Sequence, residues 1–137
     1  MKKVTLIATM TVYLVMCSAL YGQNVVTDWA TIVQPLINTP PRAPAIQQIL
    51  RPMIHIAVYD AVVATKGSYK PFVAAIPAPA GADIRAAVAT AAYRTAVARA
   101  DVSQIPALKT AYNTYMGAIP DGLAKDDGRN AGEQAAA

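Results

Sequence analysis

Met53-Ile54-His55-Ile56-Ala57-Val58-Tyr59-Asp60-Ala61-Val62-Val63-Ala64 decides the reading of this chain. In these twelve residues only His55 and Asp60 are plainly polar. A helix apolar on nearly every side is a central, enclosed one. Upstream, Ile46, Ile49, Leu50 and Met53 continue the same helical face, and Pro44 suits a first helical turn. Pro52 predicts a kink or a fresh start. The flanking segments are rich in alanine, which favours helix but buries little area per residue. They are too slight to enclose such a helix, so more protein is expected around it.

Working outward, four further helices are predicted. The first starts at Asp28 as its cap and carries Trp29, Ile32, Val33, Leu36 and Ile37, with Pro35 inside it. Lys66 to Ala82 is a loop punctuated by Gly67, Pro71, Pro77, Pro79 and Gly81, which Tyr69, Phe72, Val73 and Ile76 can pin to the surface. Asp83 caps the next helix, running to about Ala100, with Ile84, Ala87, Val88, Ala91, Thr95 and Ala98 on one face. A fourth helix starts near Ser103 to Pro106. Its stripe of Ile105, Leu108, Tyr112, Tyr115, Met116 and Ile119 is the cleanest in the chain. Asp121 is read as the cap of the fifth, where Ala124, Gly128, Ala131 and Ala135 form a small-residue face for close packing. No strand signal survives, so the expected class is all-α, a bundle of about five helices. We expect it to be an incomplete part of a larger α-helical enzyme.

Residues 1–23 carry the three-part plan of a secretory signal: Lys2 and Lys3, an apolar run from Val4 to Met16, then small residues at Cys17-Ser18-Ala19. The apolar run falls short of the roughly 20 residues a spanning helix needs. The expectation is an exported protein, periplasmic or extracellular, with no stable membrane span once the signal is cleaved. Residues 24–137 form the mature domain. They keep ten basic and eight acidic residues, a net charge of +2, and no cysteine, since Cys17 is the only one. The basic residues are scattered along the sequence, which argues against nucleic acid as a partner.

Few residues are candidates for chemistry. His55 is the single histidine, and a lone histidine without a second base, nucleophile or ligand is not a catalytic constellation. Asp60 projects from the apolar face and must be paired if buried. Its candidate partners are Arg42, Arg85, Arg94, Arg99 or the amides of a helix N-terminus. His55 and Asp60 are thus both read as buried structural polar residues. Asp126 and Asp127 point about 100° apart and are read as a solvated face; Tyr112 and Tyr115 are read as core edge. No phosphate loop, nucleophile elbow, zinc motif or C-x-x-C occurs. Accordingly no catalytic, cofactor-binding or metal-binding residue is assigned.

Several words stand in a telling order. They are Asp28-Trp29, Pro40-Pro41-Arg42-Ala43, Ile54-His55-Ile56-Ala57-Val58-Tyr59-Asp60-Ala61-Val62, Tyr69-Lys70-Pro71-Phe72 and Ala118-Ile119-Pro120-Asp121-Gly122-Leu123-Ala124-Lys125. In this order the chain resembles the N-terminal part of bacterial vanadium-dependent haloperoxidase family proteins, within the type 2 phosphatidic acid phosphatase superfamily. The likeness covers about residues 28 to 137. It implies a helical-bundle enzyme that holds vanadate and oxidises halide with hydrogen peroxide, or one that handles phosphate in the phosphatase relatives. In that family lysine and arginine side chains, a Ser-Gly-His stretch and a second histidine grip the oxyanion, all in the later half. None maps onto this sequence: Arg51-Pro52 echoes one motif, but Pro44 stands where its lysine would be. The resemblance therefore implies a scaffold segment whose partner is the C-terminal half of the same enzyme. Exposed apolar helix faces would also allow an oligomer. The alternative is a free-standing exported helical interaction module without enzymatic activity.

Overall fold

The computed structural model describes residues 24–38, 43–73 and 75–137. The expected leader over 1–23, Cys17 and Arg42 lie outside the described residues. Among those described, the protein is all-α, with five helices and no strand: α1 (Val25–Asn38), α2 (Pro44–Lys66), α3 (Ile84–Val97), α4 (Ile105–Gly117) and α5 (Leu123–Ala135). No helix among them is long and apolar enough to cross a membrane.

The helix starts follow local chemistry. Asn24, not Asp28, caps α1: its Oδ1 accepts from the Val26 amide at 3.1 Å, and its carbonyl accepts from Asp28 N at 3.0 Å. Asp28 falls instead in the first turn, where a negative charge suits the helix dipole. α2 runs unbroken through Pro52, so no fresh start occurs there. Pro52 lies on the exposed face, where water can satisfy the carbonyl that the ring leaves unbonded. Gly67 ends α2 in the left-handed conformation (φ 66°), its amide donating to Val63 O at 2.8 Å. For α5 the expected cap is also corrected. Gly122 takes the N-cap position without a side-chain bond, and the Asp121 carboxylate is drawn off by Lys125 Nζ at 2.8 Å.

Asp83 does cap α3, accepting from the amides of Arg85 (2.8 Å) and Ala86 (3.3 Å). The Arg85 guanidinium, 2.7 Å away, holds the Asp83 carboxyl below its ordinary value of 3.8; partial burial opposes this, and the two amides reinforce it. A carboxyl whose pKa is lower folded than unfolded contributes stability that is fully present above the unfolded value. That stability is lost as pH falls through the folded value. Asp83→Ala is expected to cost about 1 kcal/mol at neutral pH. The gap in thermal midpoint from the parent should narrow below about pH 3.8; a gap that stays constant down to strong acid would contradict this assignment.

The middle of the bundle is α3, not α2. Every residue from Ala86 to Ala92 is buried, and α1, α2, α4 and α5 all pack on it. What permits this is the size of its side chains, because alanines on several sides let neighbouring backbones come close. α5 comes closest, with Gly128 against Asp83 and Ala86, and Gly132 against Ala87, Thr90 and Ala91. Asp83 N also donates to Ala124 O at 2.7 Å, tying the starts of the two helices together. The larger side chains collect on the opposite flank. There Trp29 is fully buried and meets Tyr112 and Tyr115 edge-on at 6.3 and 6.0 Å. The α4 stripe is as expected: Leu108, Met116 and Ile119 are buried, and Tyr112 and Tyr115 lie at the core edge.

Candidate functional site

α2 buries one side and leaves two others open. Leu50, Ile54, Ala57, Val58 and Ala61 face the bundle. Gln48, His55, Tyr59 and Lys66, at steps of seven and four, form a stripe that is exposed among the described residues. His55 is therefore exposed, and the expectation that it is buried is corrected: it lies on the side of α2 opposite the face that packs on the other described helices. Tyr59 on the same stripe donates to Lys70 O at 3.0 Å and so touches the following loop.

Asp60 is buried as expected, at 3% exposure. Its hydrogen bonds among the described residues come from loop amides rather than from an arginine or a helix N-terminus, and Arg42 lies outside those residues. One carboxylate oxygen accepts from Phe72 N at 2.6 Å and the other from Val73 N at 2.9 Å. Two loop amides thus converge on a charged acceptor, which satisfies the carboxylate without a helix terminus. Arg85 and Arg94 are engaged elsewhere, by Asp83 and Glu133. The loop is anchored by this polar clasp and by Ile76 and Ala78, which are half-buried against the core, whereas Tyr69, Phe72 and Val73 are exposed.

Beside the clasp lies a groove of about 530 Å³. Met53, Ile56 and Ala57 of α2 form one wall, Val73 and Ile76 another, and Ala135, Ala136 and Ala137 the far end. Thr95 lines it as well. Its hydroxyl is buried and has no hydrogen-bond partner among the described residues. Such a group costs free energy unless something satisfies it. Near the same side of α2, Ile46 and Ile49 are exposed at 47% and 60%. Asp60, Ala98, Arg99 and Gln134 complete the lining, and the apolar part of it is suited to receiving a largely apolar surface. It does not assemble the convergent cations that an oxyanion requires. Among the described residues no group of three His, Cys, Asp or Glu side chains could hold a metal ion.

The sequence singled out His55 and Asp60 together, and the fold separates them, His55 into solvent and Asp60 onto the groove. It missed Thr95 and Ile76 as groove residues. Thr95 sits on the α3 face recognised as small, but only the placement of α2 and α5 turns that position into a lining. No protein-family model, curated protein or solved structure matches this chain.

Proposed function

We propose that this chain is the N-terminal scaffold segment of an exported vanadium haloperoxidase-like or acid phosphatase-like enzyme, and that the oxyanion-gripping residues are supplied by a following C-terminal part. The observation that carries the reading is the largely apolar groove between α2 and α5. Its occupant, in this reading, is a helix of that C-terminal part, whose apolar side chains would cover Met53 and Ile56. The order of sequence words adds support, from Asp28-Trp29 to Ile119-Pro120-Asp121-Gly122. Vanadate, or phosphate as substrate, belongs to the complete enzyme. The runner-up is a free-standing exported helical interaction module, favoured by the enclosure of α3 within this chain alone.

The reading frame beyond Ala137, expressed together with this chain, is the test. The longer protein is expected to brominate a phenol indicator with vanadate and hydrogen peroxide, or to hydrolyse a phosphate ester. The 137-residue chain is expected to do neither. A stop codon directly after Ala137 in several independent isolates would favour the runner-up instead.

A further inference from the structure

The loop after α2 presents an apolar tip to solvent. Tyr69, Phe72 and Val73 are 71%, 68% and 76% exposed, and Tyr59, which bonds to the loop, is 43% exposed. Single apolar side chains scattered on a surface need no explanation, but a cluster held in one place does. This cluster is held. Tyr59 Oη donates to Lys70 O at 3.0 Å, and the Asp60 carboxylate accepts from Phe72 N at 2.6 Å and from Val73 N at 2.9 Å. These bonds seat the tip against the last turns of α2.

The same bonds suit the tip to a medium without water. Hydrocarbon offers backbone groups no partners, so a segment entering it must satisfy them internally. Here the amides of Phe72 and Val73 and the carbonyl of Lys70 are already satisfied, and Pro71 has no amide to satisfy. The charges around the tip are of one sign. Lys66 and Lys70 are exposed and make no ion pair among the described residues. From Ala61 to Ala82 the sequence has no acidic residue. The two grooves that the loop helps to line hold one carboxylate, Asp60, which is buried and engaged.

We infer that this loop docks the protein on an anionic lipid surface, with Tyr69 and Phe72 entering the interface and Lys66 and Lys70 at the level of the charged headgroups. A tyrosine suits that level, since its ring is apolar and its hydroxyl polar. Lysines beside an anionic leaflet add attraction, and the buried apolar area supplies adhesion. What is recognised is a surface, not a phosphate gripped in a cavity. A second copy of the chain suits the tip less well, because pairing the same loop with itself would set four lysines against one another. The inference does not rest on the scaffold reading: Tyr69, Phe72 and both lysines lie outside the lining of the groove beside α2.

Fluorescence of the full chain with vesicles tests it. With Cys17 replaced by serine, Phe72→Cys carries a nitrobenzoxadiazole label at the tip. Leu123→Cys carries the same label at an 82% exposed position at the start of α5, the end of that helix away from the loop. Any pull by the apolar run from Val4 to Met16 is common to both proteins. The label at position 72 is expected to shift to the blue with mixed phosphatidylcholine and phosphatidylglycerol vesicles, at about tenfold less lipid than with phosphatidylcholine alone. The label at position 123 should keep its aqueous emission. Lys66→Glu together with Lys70→Glu should abolish the preference for anionic vesicles while circular dichroism stays that of the parent. An unmoved emission at position 72, equal shifts at both positions, or a preference that survives loss of both lysines would overturn the inference. So would a shift without lipid that grows with protein concentration, which would assign the tip to a second copy of the chain.

Discussion

Gly132→Ala is expected to destabilise the protein by about 1–3 kcal/mol, although alanine is the better helix former. A Cβ at this position would meet the Ala87 carbonyl oxygen, with Thr90 Cβ at 2.7 Å and Ala91 N at 3.0 Å. Two of these are backbone atoms of the central helix and cannot rotate aside. Gly128 is in the same position against the Asp83 carbonyl, with Ala86 Cβ at 3.0 Å. Because both contacts hold α5 to α3, the double variant should shed α5 as a unit. The helical propensity gained, about 1 kcal/mol per glycine replaced, does not offset a clash with backbone. Gly117 provides the internal contrast. It is a helical glycine with nothing within 4 Å of the place a methyl group would take, so Gly117→Ala should be neutral or stabilising by up to about 1 kcal/mol. In a domain of this size each kcal/mol moves the thermal midpoint by about 4 °C or more. Thermal melts of the three variants read the difference directly, and equal midpoints for Gly132→Ala and Gly117→Ala would refute the close α3–α5 packing.

Asp60→Ala is expected to release the loop after α2. The substitution removes both acceptors of the clasp and leaves the Phe72 and Val73 amides to water. Two hydrogen bonds to a charged group are lost; since the loop side chains are exposed, solvent recovers part, and a cost of about 2–4 kcal/mol remains. Asp60→Asn keeps the shape and one acceptor oxygen but turns an N–H₂ toward a donor, so it should fall between the two. Phe72, whose amide is one half of the clasp, serves as a built-in reporter. Chymotrypsin should cut after Phe72 faster in Asp60→Ala than in the parent, and the urea midpoint should fall with it. Unchanged cleavage and an unchanged midpoint would show that the loop is held by something else.

The sequence was informative where a local rule was enough. Proline at Pro44, the aspartate at Asp83 and the stripe from Ile105 to Ile119 each announce an element through its own chemistry, and each appears. Asp60 was legible as buried because a carboxylate on an apolar face must find partners. Its partners were not legible, since two loop amides leave no mark in side-chain identity. The central helix was misplaced for a related reason. Hydrophobicity favours the stretch around His55, whereas burial of Ala86 to Ala92 depends on Gly128 and Gly132, some forty residues later, letting α5 approach.

The scaffold reading stands or falls on whether the groove beside α2 is covered in the complete protein. With Cys17 replaced by serine, Ile56→Cys puts the single thiol on the groove wall, and Lys66→Cys puts it on the solvent stripe as a control. In the 137-residue chain both thiols should react with a maleimide reagent. In the protein extended by its downstream reading frame, the thiol at position 56 should be protected while the thiol at position 66 still reacts. Equal labelling of position 56 in the short and long proteins would contradict the account.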